Sequence, residues 1–281
     1  LNHLGEGQYT SEQMDGQIGA EYDRLFGRHH VDAMLMVEAQ DIKTNSLGAY
    51  VDHVPFAELP ELSYGTALKE SPVSGYSTHI RRAGYIFRLK YDYANTYLAE
   101  LSGRYDGSYK FSGNASGKRW GFFPSLSLAW RVTQEKFMQP TRGWLNDLKV
   151  RASVGMLGND SGLPEYMYLA TYAQGGNRFI GGTALKTLYT SGVPNLNLTW
   201  TKIRSSNVGF DATLWDGKLG VEFDWFYNYN YNILTQMGGN MAPSMGGYFS
   251  TYENYNRYAN YGIEWTLSHR NHFGLGGHPF N

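Results

Sequence analysis

The sequence predicts an all-β chain: an antiparallel transmembrane β-barrel of the outer-membrane type, present as an incomplete, open wall of about nine long strands. Three observations predict it. The first is the stretch 221–233. Val221, Phe223, Trp225, Tyr227, Tyr229, Tyr231 and Ile233 fall on one parity. Glu222, Asp224, Asn228, Asn230 and Asn232 fall on the other, interrupted only by Phe226. Successive side chains of a strand point to opposite faces, so one face is apolar or aromatic and the other polar. A run of roughly 13 residues is twice the usual strand. At about 3.3 Å per residue and a tilt near 40° it spans on the order of 30 Å, the thickness of a bilayer core. The second observation is that short and long connections alternate along the chain, as periplasmic turns and extracellular loops do. The third is composition. Mean hydropathy is −0.46 and no continuous apolar run reaches helix-spanning length, so a membrane signal must reside in alternation. Tyrosine, at 23 residues, is abundant enough to furnish interfacial girdles.

Taken in order, the strands read as follows. A weak first strand covers 14–26. In the second, Val31, Ala33, Leu35, Val37 and Ala39 alternate with Asp32, Met34, Met36, Glu38 and Gln40. A long segment, 42–80, follows as a loop. Ala83 to Tyr91 alternates with Arg82, Gly84, Ile86, Arg88 and Lys90. After a short turn at 92–95, Tyr97, Ala99, Leu101, Gly103 and Tyr105 alternate with Leu98, Glu100, Ser102, Arg104 and Asp106. The stretches 122–132, 148–156, 207–214 and 258–270 repeat the pattern. Long loops are expected at 157–200 and 235–257. Between them the Asp216-Gly217 pair suits a type I′ hairpin. Trp130, Trp144 and Trp215 lie near short-turn ends, Trp120 and Trp200 near long-loop ends, where indole rings favour the two interfaces.

Several functions are excluded or disfavoured. Net charge is −1, which argues against a nucleic-acid partner held by bulk electrostatics. Cysteine is absent, so disulfides and thiolate metal sites are excluded. No serine has a nucleophile-elbow context, and no catalytic residue, cofactor site or metal site is expected. The stretch Asn159-Asp160-Ser161-Gly162 reads as a turn, since it lacks the later oxygen ligands of a calcium loop.

Four blocks carry a family resemblance. Gly103-Arg104-Tyr105-Asp106-Gly107-Ser108-Tyr109-Lys110-Phe111 is similar to a strand-to-loop motif Arg-x-Asp-Gly-Ser-Ser-Arg-Phe, departing at Tyr109 and Lys110. Trp120-Gly121-Phe122-Phe123-Pro124-Ser125 leads into Ala129-Trp130-Arg131. Trp144-Leu145-Asn146-Asp147-Leu148-Lys149-Val150-Arg151-Ala152-Ser153 leads into Gly155-Met156-Leu157-Gly158-Asn159. Pro194-Asn195-Leu196-Asn197-Leu198-Thr199-Trp200 precedes Asn207-Val208-Gly209-Phe210-Asp211. In that order they resemble the SusC/RagA-like TonB-linked (TonB-dependent) outer-membrane transporters. The resemblance implies a multi-pass barrel in a Gram-negative outer membrane and energised uptake of oligosaccharides or peptides. It also implies a SusD-like lipoprotein lid outside and TonB inside. Family barrels have 22 strands behind a plug and a TonB box, so residues 1–281 are expected to be part of one barrel domain. A non-transporting outer-membrane or surface β protein, with an anchoring or adhesion role, is the competing reading.

Two residue sets are candidates for function. The lumen-facing set is Glu100, Arg104, Asp106, Arg151, Glu222 and Asp224. The loop set is Tyr172, Asn177, Arg178, Phe179, Tyr248, Phe249 and Tyr252. Aromatic rings beside amide and guanidinium groups suit a sugar or peptide, a partner lid, or packing on one another, and the residues alone leave all three open.

Overall fold

The structure is a computed structural model describing residues 3–55, 58–67, 73–113, 118–190, 194–236, 244, 252–270, 273–275 and 278–280. The strands are β1 (His3–Phe26), β2 (His29–Asp52), β3 (Thr66–Ala67), β4 (Val73–Tyr93), β5 (Tyr97–Ser108), β6 (Trp120–Arg131) and β7 (Leu145–Asn159). They continue as β8 (Tyr172–Ile180), β9 (Thr183–Thr190), β10 (Thr201–Leu214), β11 (Leu219–Gln236), β12 (Tyr252–His269), β13 (Phe273–Leu275) and β14 (His278–Phe280). Short 3-10 turns occupy Leu62–Tyr64, Val132–Gln134 and Lys136–Thr141. No α-helix occurs among the described residues, and none of their helices is long and apolar enough to cross a membrane.

Nine long strands follow the order β1-β2-β4-β5-β6-β7-β10-β11-β12, with β3 beside β2. β1 and β12 end that order and do not pair with each other among the described residues, so the sheet is open there, as expected. The ribbons β8–β9 and β13–β14 stand apart from it.

Two strand extents differ from the expectation. β2 runs on to Asp52 and β4 begins at Val73, so most of the expected 42–80 loop is strand. β1 likewise begins at His3 rather than near Met14. The loop between β7 and β10 holds the β8–β9 hairpin, turned by Gly181 and Gly182 at φ 58° and 83°. The reason for the first two lies in one compact unit, Leu1–Ile18 with Glu38–Ala83. There Ser11 meets Thr44, Gln40 donates to Asp15 (2.9 Å) and Gln17 to Glu38 (2.9 Å) on one face. On the other, Ser77 donates to Asn45 (2.8 Å), and His79 and Arg81 converge on Asp41 (2.9 and 3.1 Å). Both faces are polar, so the strands form without the alternation that announces them.

The long strands of the other unit, Gly19–Val37 with Gly84–Asn281, keep the alternation with few interruptions, Phe226 among them. One register row reads Tyr97, Trp130, Val150, Phe210, Phe223, Trp265. The next reads Arg131, Lys149, Asp211, Glu222, Thr266, and the polar face continues on that parity. On β6 the apolar face runs Trp120, Phe122, Pro124, Leu126, Leu128, Trp130, an apolar stretch bracketed by two indoles. Ten residues of strand at about 40° tilt cover roughly 25 Å, the height of a barrel's apolar band.

The two ends of these strands are built differently. At the short-turn end, Gly27 (φ 62°) and the pair Ala94 and Asn95 (both φ 54°) turn the chain tightly. Between β10 and β11 the hairpin is a four-residue loop. Its left-handed residues are Trp215 (φ 51°), Asp216 (φ 54°) and Gly217 (φ 81°), not the two-residue Asp-Gly turn expected. Backbone hydrogen bonds tie neighbouring turns together: Ala94 N–H to Arg28 C=O (2.7 Å), Arg131 to Thr96 (2.8 Å), Trp215 to Trp144 (2.9 Å) and Arg270 to Lys218 (2.9 Å).

At the long-loop end a small hydrophobic core forms from Phe111, Phe123, Leu163, Leu198 and Trp200, with Met156, Met167, Leu234 and Tyr252 against it. Trp200 meets Phe111 and Phe123 at centroid distances of 5.2 and 5.3 Å, and its indole N–H donates to the Arg119 carbonyl (3.2 Å). It is therefore a core residue, not an interfacial ring. Beside it the Ser108 hydroxyl donates to the buried Asp160 carboxylate (2.7 Å), and Lys110 Nζ to the Asp160 carbonyl (3.2 Å). Residues 159–162 do turn, with Ser161 N–H donating to Asn159 (2.8 Å), but Asp160 also cross-links two loops. The four sequence blocks thus meet here: they supply Ser108 and Phe111, Phe123, Met156, and Leu198 and Trp200 respectively.

Candidate substrate-facing surface

The polar face of β5–β11 is organised around Arg151. Its guanidinium donates to Asp211 on β10 (3.0 Å from Nη2, 3.1 Å from Nε) and to both oxygens of Asp224 on β11 (2.7 Å each). Arg151 on β7 and Asp224 on β11 both stand opposite Gly209 on β10. A Cβ at Gly209 would lie 2.5 Å from Asp224 Oδ1 and 2.4 Å from the Phe223 carbonyl oxygen. Glycine there lets the ion pair cross a whole strand. Bidentate Arg–carboxylate geometry makes the triad stiff as well as charged.

Two smaller networks repeat the device. Arg104 chelates Asp106 on the same strand (Nε–Oδ2 and Nη2–Oδ1 both 3.0 Å), above Gly84, where a Cβ would approach Asp106 Oδ1 to 2.3 Å. Arg88 on β4 reaches Glu21 (3.0 Å) and Asp32 (3.3 Å). A cavity of about 470 Å³ opens on this face, lined among others by His30, Asp32, Lys90, Glu100, Lys149 and Arg151. Charges of both signs, hydroxyls and amides border it. Such a surface can hydrogen-bond a polyhydroxylated or peptide-like ligand in many orientations. Among the described residues no group of three or more His, Asp or Glu is placed to hold a metal ion.

The structure brings Arg151 and Asp224 together, pairs Arg104 with Asp106, and sets Glu100 on the cavity. Glu222 is exposed and stands opposite Asp211. Asp211 was not singled out by sequence reasoning, although its acidic side chain on the polar parity of β10 was the signal. In the loop set, Tyr172, Asn177, Arg178 and Phe179 all lie on β8, with Asn177 opposite Lys186 and Arg178 opposite Leu185. Tyr172 and Phe179 are largely exposed, as are Ile180 and Leu188 on the same hairpin. Tyr252 opens β12, packs against the long-loop core, and its carbonyl accepts from Asn195 Nδ2 (2.7 Å). Tyr248 and Phe249 lie outside the described residues.

Residues 3–279 match the family described as TonB dependent receptor-like, beta-barrel. The TonB-dependent receptor SusC of Bacteroides thetaiotaomicron is 26% identical over 89% of this chain and 24% of its own length. A TonB-dependent receptor of Formosa agariphila is 27% identical over 96% of this chain and 27% of its own. The RagAB peptide transporter superposes with a TM-score of 0.83 at 23% identity, over 98% of this chain and 29% of that one. The chain spans about a quarter of the length of the curated relatives it matches.

Proposed function

The chain belongs to the TonB dependent receptor-like β-barrel family, and from that premise we propose that it forms part of the wall of an outer-membrane importer of oligosaccharides or peptides. The observation that carries this is the two-faced sheet of β5–β12, apolar rows on one side and the Arg151–Asp211–Asp224 lattice on the other. The apolar face meets lipid and the polar face lines the lumen. The short-turn end faces the periplasm and the long-loop end the exterior. Uptake is energised through TonB, and a SusD-like lipoprotein covers the outer mouth. The exposed apolar hairpin β8–β9, with Tyr172, Phe179, Ile180 and Leu188, is the lid contact, while Asn177, Arg178, Tyr248, Phe249 and Tyr252 are assigned to lid or substrate. The protein's contribution is selective passage rather than covalent chemistry.

Two experiments test it. A strain lacking the gene should lose uptake of labelled oligosaccharides or peptides, and the wild-type gene should restore it. Unchanged uptake of both classes would refute the importer reading. Leu128→Arg places a cation at the middle of the lipid face, costing about 2–4 kcal/mol, and should block assembly. Ser127→Arg, on the polar face, should assemble. Equal yields would overturn the facing.

A further inference from the structure

On the apolar face, β5, β6, β7 and β11 carry no Lys, Arg, Asp or Glu between their ends. Starting from the short-turn end, the first charges on that parity are Arg204 on β10 and Arg257 on β12. Both are exposed, and neither makes an ion pair among the described residues. Arg204 stands ten residues along the strand from Leu214, or roughly 25 Å along a barrel axis at the usual tilt. That is the top of the apolar band, where a cation on the lipid face costs little, about 0–1 kcal/mol.

Two grooves converge at this height. The first, about 410 Å³, is lined by Leu101, Leu126, Val154, Met156, Tyr229 and Arg204 among others, and is almost wholly apolar below the guanidinium. The second, about 540 Å³, is lined by Tyr229, Tyr231, Tyr255, Asn256 and Arg257 among others. Tyr229 and Tyr231 stack at 5.6 Å and border both grooves. Tyr229 also stands directly opposite Arg204. An apolar channel capped by a free cation, beside aromatic rings, has the shape and charge of a lipid molecule turned over: acyl chain below, anionic headgroup above.

We propose that Arg204 and Arg257 bind the phosphates of an acylated, phosphorylated glycolipid of the outer leaflet, with an acyl chain in the first, apolar groove and the polar headgroup along the second, where Asn256 and Arg257 lie beside the Tyr229–Tyr231 stack. Two cations on either side of one aromatic pair match a headgroup with two separated phosphates. A phospholipid with one phosphate satisfies only one of them. The proposal rests on the outer-membrane reading above, which sets the long-loop end in the outer leaflet.

The test uses the full-length protein carrying this chain, purified from outer membranes in non-ionic detergent. Binding of bisphosphorylated lipid A, dephosphorylated lipid A and phosphatidylglycerol is measured by native mass spectrometry. Bisphosphorylated lipid A should bind best. Arg204→Gln and Arg257→Gln should each weaken it about fivefold, the equivalent of about 1 kcal/mol per basic residue. Arg24→Gln, beside Phe26 at the other end of the sheet, should leave it unchanged. Each variant must first show the wild-type heat-dependent gel shift, so that misassembly is not scored as lost binding. Equal binding of phosphorylated and dephosphorylated lipid A, phosphatidylglycerol binding as well as lipid A, or an unaffected double variant would each overturn the proposal. Recovery of the protein outside the outer-membrane fraction would instead overturn the importer reading beneath it.

Discussion

The two ends of the β5–β12 sheet solve the same problem with opposite means. The short-turn end closes its strands with backbone geometry: left-handed residues at Gly27, Ala94, Asn95 and 215–217, tied by main-chain hydrogen bonds. Its tryptophans Trp144 and Trp215 are exposed. The long-loop end closes its strands with side chains: a buried core around Phe111, Leu198 and Trp200 and a buried Ser108–Asp160 hydrogen bond. Backbone turns hold two adjacent strands. A side-chain core holds three loops that are far apart in sequence. A loop end that must stay wide enough for function still needs a rigid floor, and the core provides it.

The contrast breaks most visibly at tryptophan. Trp200→Ala empties the core and should destabilise by about 3–5 kcal/mol. Trp215→Ala, at an exposed turn, should change stability by within about 0.5 kcal/mol. The temperature of the gel-shift transition from folded to unfolded barrel measures both. Similar shifts would mean that the two ends are not held differently. The next largest pair is acidic. Asp160→Ala leaves the buried Ser108 O–H donor without its acceptor and should cost about 1–3 kcal/mol, whereas Asp216→Ala removes only an exposed hydrogen bond from Asn146 (2.9 Å), about 0.5–1 kcal/mol. Ser108→Ala combined with Asp160→Ala should recover part of the loss, and no recovery would deny the coupling. A glycine pair sharpens the comparison. Gly217→Val puts a β-branched residue at φ 81° and should cost about 1–2 kcal/mol through backbone strain alone. Gly158→Ala should strain packing instead, because its Cβ would lie 2.0 Å from the Phe123 ring. Phe123→Leu should relieve the second variant and not the first, as judged by the same transition.

Most of the membrane-crossing sheet was legible because one face is wet and the other is not. The alternation in β11 and β6 is the direct record of that asymmetry. The extended parts of β1, β2 and β4 carried no such record, since Asp15, Gln17 and Gln40 on one face and Asp41, Asn45 and Ser77 on the other are all polar. The β8–β9 hairpin is marked instead by a turn signal, the Gly181-Gly182 pair. Glu100, Arg104, Arg151, Glu222 and Asp224 were legible as a polar parity, but not the bridge across Gly209, because register between strands is a tertiary fact. The long-loop core was present in the motif blocks, yet Phe111, Leu163 and Leu198 sit singly in loops, with no period to mark them as buried.

One feature of the strand order bears on how the sheet comes to exist. With one exception, each long strand from β4 onward pairs with the long strand that follows it after a modest connection, so contact order is low and each addition closes a small loop. The exception is β7 with β10, separated by residues 160–200. Closing a loop of about 40 residues costs more entropy than closing a hairpin, though only logarithmically more. Leu163 lies near the start of that segment and Leu198 and Trp200 at its end, all in one core with Phe123 of β6, and Asp160 is its first residue. The same contacts that stiffen the finished molecule also hold together the ends of its longest connection, where the entropy of closure is greatest.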